Sequence, residues 1–183
     1  RFLIQNKVIV ALGHSGADSE SSKAAIDAGA TLITHFNNAM AKLGTPDSLS
    51  EVALANSINL EVIPDFSHIP TETLQVILAA APNRCVAVTD AMSAAGCGDG
   101  SYLIGNLAVT VKAGQARLDS NGKLAGSTLT MLQAFHNLRE LVGVEKAVAM
   151  TSMNPRKILG IADEPNYIGI KGDRVTFLQN TLS

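Results

Sequence analysis

The chain has four histidines. Two of them, His14 in "ALGHSG" and His35 in "LITHFNNAM", each close a short apolar run and are followed by small or amide residues. A paired set of neutral imidazoles is a donor set suited to a divalent cation that serves hydrolysis, with one coordination position left open for water. Asp90, in "VAVTDAMSAAG", ends another apolar run. A carboxylate there could take a proton from an attacking water and pass it to a leaving group. Each residue also has a plainer reading, as a hydrogen-bonded histidine at a strand end or, for Asp90, as a turn or helix cap. The three together favour a site.

Other polar residues fall at equivalent places. Asn38 can donate amide hydrogens to an anion, Ala39 leaves its backbone N–H unobstructed, and His68 adds positive charge when protonated, which together suit a phosphate. The plainer alternatives are a turn residue for Asn38 and a helix-entry histidine for His68. "LAGS" (Leu124–Ser127) reads equally as a plain turn with a serine cap. His136 and the methionines at 131, 150 and 153 read as structural residues of helices.

Elements must bring these residues together. Apolar runs of strand length recur at Lys7–Leu12, Thr31–His35, Leu60–Pro64 and Arg84–Thr89. Between them lie helical patterns with start and stop signals: Ser19 or Ser21 as a cap and Gly29 as an end, Asp47 or Ser48 as a cap, and Thr71 after Pro70 with a stop before Pro82. Alternation of this kind implies a parallel sheet whose ligands sit beyond the carboxyl ends of the strands. His14, His35, Asp65 with His68, and Asp90 all fall at those ends. An open sheet and a (β/α)8 barrel both satisfy the pattern, and four units make half of a barrel.

After Asp90 the period changes. Alternating residues with Gly-Asn, Ala-Gly and Asn-Gly turns predict a small antiparallel insertion over about 101–125. An amphipathic helix follows, with Leu129, Leu132, Phe135, Leu138 and Val142 on one face, a cap at Ser127 or Thr128 and an end at Gly143. Two shorter helical patterns and a turn-plus-strand tail complete the chain. The expected organisation is a partial barrel over 1–160 and a return segment over 161–183.

A chain of 183 residues that is 46% hydrophobic and 16% charged can bury a sizeable core. A net charge of −2 with 4% aromatic residues offers neither the electrostatic footprint nor the stacking platforms of a nucleic-acid binder. The apolar stretches are too short and too broken to span a bilayer, and two cysteines in unrelated settings fit a reducing cytoplasm. The opening "RFLIQNKVIVALG" reads as a strand and not as a signal peptide. The absence of an initial methionine suggests a fragment.

The motifs "GHS", "THFNNAM", "DFSH", "VTDAMSAAG" and "LAGSTLTM", in this order and spacing, resemble the C-terminal half of the N-acetylglucosamine-6-phosphate deacetylase family of the amidohydrolase superfamily. The resemblance runs nearly end to end. It implies an α/β fold, the C-terminal half of a (β/α)8 TIM-like barrel with a small antiparallel β insertion and a return towards a small β-sandwich. It implies His14 and His35 as ligands of a divalent metal, zinc first and iron or another divalent ion behind it. It makes Asp90 the catalytic base that later protonates the amine, and Asn38, Ala39, Asp65, Phe66, Ser67, His68, Leu124, Ala125 and Gly126 the substrate-binding residues. The implied partner is a small amino-sugar phosphate, with neither nucleic acid nor membrane, in a cytoplasmic homodimer. The family's glutamate ligand lies in sequence that these residues do not contain, so the segment alone is expected to be inactive. The family's phosphate arginine has no counterpart in "AKLGTPDSLSEV", and its "DGLH" reads "DFSH". The alternative is a truncated, non-catalytic homologue that keeps only ligand or partner binding.

Overall fold

The computed structural model describes residues 1–161, 167–171 and 174–178. Four strands, β1 (Ala11–Leu12), β2 (Leu32–Ile33), β3 (Asn59–Val62) and β4 (Cys85–Ala87), form a parallel sheet in the order β1-β2-β3-β4. Chain order equals spatial order, so each strand is joined to its neighbour by a crossover. The register sets Leu12 beside Ile33, Ile33 beside Leu60, and Leu60 beside Cys85. The apolar runs predicted as strands are therefore strands, but shorter. The opening run in particular departs from expectation: residues Phe2–Gln5 form one exposed helical turn, and pairing begins only at Ala11. Asn6 Nδ2 donates to the Phe2 carbonyl and closes that turn.

The crossovers carry helices at Ser19–Asp27, Leu49–Ala55 and Thr71–Ala80. The first is capped by Asp18, whose carboxylate accepts the Ser21 N–H at 2.8 Å, rather than by Ser19 or Ser21. The second is capped by Ser48, one of the two expected residues. In the third, Pro70 precedes the first turn, and Leu74, Ile77 and Leu78 are buried at helical spacing. These side chains join Ile33, Phe36, Leu60 and Val62 in one core, all seven essentially inaccessible to water. Arg84 ties the sheet to the second helix by donating to the Leu54 and Ala53 carbonyls at its last turn.

Beyond β4 lies the predicted antiparallel insertion: β5 (Gly100–Ile104), β6 (Leu107–Lys112) and β7 (Gln115–Leu118) in a three-stranded meander. It carries its own small core of Val109, Val111 and Ala116. The helix Met131–Val142 is capped by Thr130, whose hydroxyl accepts the Gln133 N–H, and not by Ser127 or Thr128. The predicted apolar face narrows accordingly: Ala134, Phe135 and Leu138 are buried, Leu129 precedes the helix, and Leu132 is exposed. Helical segments Val144–Val148 and Asn154–Leu159 follow, joined by a π-helical turn at Ala149–Met153.

The tail holds two strands, β8 (Tyr167–Lys171) and β9 (Arg174–Leu178), paired antiparallel, where the sequence suggested one strand after a turn. The remainder of the expected return segment, 162–166, 172–173 and 179–183, lies outside the described residues.

Candidate metal and substrate site

Each of three strands releases the chain at its carboxyl end through a left-handed residue. His14 after β1 has φ +48°, His35 after β2 has φ +31°, and Asp90 beyond β4 has φ +48°. Residues other than glycine take this conformation infrequently, and histidine, aspartate and asparagine take it most readily. Close approach of the first two strands is set by Gly13: a Cβ there would lie 2.8 Å from Thr34 Cβ. Only a glycine lets the two strand ends meet so closely.

The consequence is a pair of facing imidazoles. Nε2 of His14 and Nε2 of His35 are 2.8 Å apart, with ring centroids separated by 4.6 Å and planes inclined at 70°. His35 is buried and its Nδ1 has no partner among the described residues, whereas His14 is exposed. Among the described residues no third His, Cys, Asp or Glu joins the pair in a cluster of metal-binding shape. The pair thus fits as part of a donor set: two imidazole nitrogens converge on one point, one of them in a buried ring.

A cleft of about 1090 Å³ opens over these residues, and Asn38, Ala39, Asp90 and Leu124–Gly126 line it together with both histidines. Its far wall is the meander, through Leu103, Leu107 and Leu118. Asn38 N–H is engaged with the His35 carbonyl at 2.9 Å, and the loop behind it is fixed by Asn37, whose Oδ1 accepts the Leu43 N–H at 2.7 Å. Lys42 lies on the cleft edge, where its ammonium donates to the Asn37 carbonyl. Of the Leu124–Gly126 backbone, the Ala125 N–H is spent on Ala116 and is not free for a ligand.

Asp65, Phe66, Ser67 and His68 do not line this cleft. They form a separate constellation after β3. Asp65 accepts the Ser67 and His68 backbone N–H groups at 2.9 Å and the His68 Nδ1–H at 2.7 Å. Burial alone would raise the Asp65 carboxyl; the bonds from His68, its charge and the Ser67 N–H outweigh it and hold the group below its ordinary range. His68 is buried with its Nε2 unpartnered among the described residues, and Phe66 is exposed at φ +61°. Ser67 Oγ accepts from Gln115 Nε2 of the meander at 3.0 Å, which links the two parts of the fold.

One residue escaped the sequence reading. Glu61, in the middle of β3, turns a half-buried carboxylate towards the histidine pair, and its Oε2 accepts the His35 backbone N–H at 3.2 Å. Burial, with a smaller contribution from the Asp90 charge, raises its carboxyl despite the His35 contacts. The available signal was a single acid inside the apolar run "NLEVIP".

Comparison with known proteins gives a consistent result. No family model matches the chain. It is 38% identical over 165 residues to the N-acetylgalactosamine-6-phosphate deacetylase of Escherichia coli O157:H7, covering 88% of this chain and 44% of that protein. It is also 38% identical to the N-acetylglucosamine-6-phosphate deacetylase of Vibrio furnissii, over 88% of this chain and 41% of that one. Among solved structures, the N-acetylglucosamine-6-phosphate deacetylase of Thermotoga maritima superposes with a TM-score of 0.82 at 33% identity, over 87% of this chain and 45% of that one. The Mycobacterium smegmatis enzyme, determined as a mutant in complex with N-acetyl-D-glucosamine-6-phosphate, gives 0.81 at 34% identity, over 87% and 44%.

This chain is homologous to the N-acetylglucosamine-6-phosphate deacetylases. It spans less than half the length of these relatives, about 44%. No helix among those residues is long and apolar enough to cross a membrane.

Proposed function

We propose that the chain is the C-terminal portion of a metal-dependent deacetylase that removes acetate from an N-acetylated amino-sugar 6-phosphate, N-acetylglucosamine 6-phosphate first. The observation that carries this reading is the convergence of His14 and His35 Nε2 at 2.8 Å in a cleft that Asp90 also lines. The parallel βα units are read as half of a (β/α)8 barrel, with the catalytic residues at its carboxyl face. His14 and His35 hold the divalent ion, zinc first, and the remaining donor comes from outside these residues. When bound, that ion polarises the amide carbonyl and makes a water molecule acidic near neutral pH.

The other steps belong to the protein's own side chains. Asp90, exposed to the cleft, accepts a proton from the attacking water at its carboxylate and returns it to the amide nitrogen as the C–N bond breaks. Acetate and a protonated amine are the products. Asn38 and Ala39, on the cleft lining, receive the phosphate, and Lys42, close by, supplies charge where an arginine is absent. His68, held by Asp65, lies beside the cleft with its Nε2 unpartnered among the described residues, and is read as a second contact for the sugar phosphate. Both cysteines are free, which suits a cytoplasmic protein, and a homodimer is the assembly implied by resemblance.

The test is made on the whole gene product. His14→Ala is expected to strip zinc and acetate release together, while Asp90→Asn keeps zinc and loses about a hundredfold or more in turnover on N-acetylglucosamine 6-phosphate. Full zinc occupancy in His14→Ala would overturn the ligand assignment. Zinc binding without turnover in the unmodified protein would favour the binding-only homologue.

A further inference from the structure

We propose that Glu61 is a positioning residue that fixes the His35 ring for its role, an inference that rests on reading His14 and His35 as metal donors. At Ile33 strand β2 ends its ladder with β3. Thr34 N–H still bonds the Leu12 carbonyl of β1, and Glu61 supplies the acceptors for the next two N–H groups, those of His35 and Phe36. Its side-chain Oε2 takes the His35 N–H at 3.2 Å, and its backbone carbonyl takes the Phe36 N–H at 2.6 Å. One residue of β3 thus grips two successive amides of the turn. Between those amides sits the backbone of His35 itself, held left-handed at φ +31°.

That conformation costs free energy in a residue with a Cβ and persists only where its surroundings over-determine it. The grip is therefore what aims the imidazole. The direction of the Cα–Cβ bond follows from φ and ψ, so a His35 released to an extended backbone would swing its ring away from His14. Phe36, fully buried, anchors the other side of the turn.

The side chain needs its own explanation. Leu60 and Val62 point into the core and are inaccessible, while Glu61 faces the opposite side of the strand, beside the histidines. An unpaired carboxylate in that half-buried place would be disfavoured against an apolar residue of the same size. Its bond to the His35 amide is the feature that a leucine there could not supply. The bond requires an acceptor and not a charge, so an amide carbonyl of the same length fills the role, and a methyl group does not.

The test uses single-hit labelling of the metal-free whole gene product with diethyl pyrocarbonate, which attacks imidazole nitrogens, followed by peptide mapping. His68, buried as deeply as His35 but held by Asp65, is the internal control. Glu61→Ala is expected to raise the labelling rate of His35 about tenfold while leaving His68 within twofold, and Glu61→Gln is expected to restore the slow rate. If Glu61→Ala does not fold, Glu61→Asp, one methylene shorter, should show the same selective loosening. An unchanged His35 rate, a parallel rise at His68, or a Gln variant as loose as Ala would each overturn the proposal. Zinc titration of the same proteins separates the two readings. Zinc affinity lowered about 10- to 100-fold in the Ala variant and recovered in Gln supports both. Selective labelling with no zinc binding by the unmodified protein removes the metal reading and leaves the positioning role standing.

Discussion

Gly126→Ala is the substitution that most directly couples the cleft to the stability of the fold. Gly126 has φ +63°, and a Cβ at that place would lie 2.9 Å from the Asp90 carbonyl oxygen and 3.3 Å from Met92 Cβ. The carbonyl cannot move freely, because it accepts the Ser127 N–H at 2.7 Å, and Met92 N–H returns a bond to Ser127 at 2.9 Å. Two costs follow. Placing an L-residue in the left-handed region costs about 1 kcal/mol. Displacing a bonded backbone segment adds roughly 1–3 kcal/mol, the usual cost of overpacking. Gly122→Ala separates them, since Gly122 has φ +69° but nothing within 4 Å of its Cβ position. At about 2–4 °C per kcal/mol for a chain of this size, Gly126→Ala should lower Tm by roughly 5–15 °C and Gly122→Ala by about 2–4 °C. Thermal unfolding followed by circular dichroism in the two variants measures this. Because the displaced carbonyl belongs to Asp90, the proposed function implies that acetate release by the whole gene product falls in Gly126→Ala and not in Gly122→Ala. Equal Tm losses in the two variants would refute the collision argument.

Two further outcomes follow from the same geometry. Burial pushes the Cys85 thiol up to about 12, while Cys97 is exposed; one thiol per chain should therefore react with a disulfide reagent in the native state and two in denaturant, and immediate reaction of both would contradict the packing of β4. Asp65 is held below its ordinary value of 3.8 in the folded chain, so its contribution to stability is present above that value and is lost as pH falls through the lower folded one. Asp65→Asn should accordingly flatten the acid side of the Tm–pH curve, and parallel curves for the two proteins would show that the His68 bond contributes nothing.

Much of this architecture was legible because periodicity and caps act locally. Parallel strands buried on both faces read as short apolar runs, and Ser48, Pro70 and Gly143 mark helix limits with mechanisms that a sequence displays. The two misread caps share a cause. Asp18 and Thr130 cap their helices in place of Ser19 or Ser21 and of Ser127 or Thr128, since which hydroxyl or carboxylate wins depends on the backbone angle at which the preceding loop arrives. Phe2–Gln5 has the composition of a strand but makes its bonds within one turn. The strand lengths also came out shorter, because two-residue ladders at β1 and β2 give way early to the turns that carry His14 and His35.

The candidate site was legible by residue type and illegible by mutual geometry. His14, His35, Asp90, Asn38 and the Leu124–Gly126 turn come to one cleft, whereas Asp65–His68 forms a neighbouring arrangement of its own, tied to the meander through Gln115. Glu61 was invisible because its partner is a backbone amide 26 positions away, a contact that leaves no spacing motif.

Turn formation and chemistry, which looked like competing explanations for these polar residues, impose the same requirement. A parallel strand that must end abruptly beside its neighbour needs a residue able to enter the left-handed region, and histidine, asparagine and aspartate tolerate it better than most residues with a Cβ. His14, His35, Asn37 and Asp90 all occupy it. The turn also directs each side chain away from the ladder, towards the space beyond the strand ends, where a ligand would lie. Strain of about 1–3 kcal/mol at each such residue is sustained by the core beneath, in which Ile33, Leu60, Val62 and Ile77 are fully buried. An aspartate at position 90 that serves as a turn residue thereby also lines the cleft, where the proposed function needs a base. The two roles separate only under substitution: Asp90→Asn keeps the tolerance for the turn and removes the carboxylate, which is why that variant, and not alanine, isolates the chemistry.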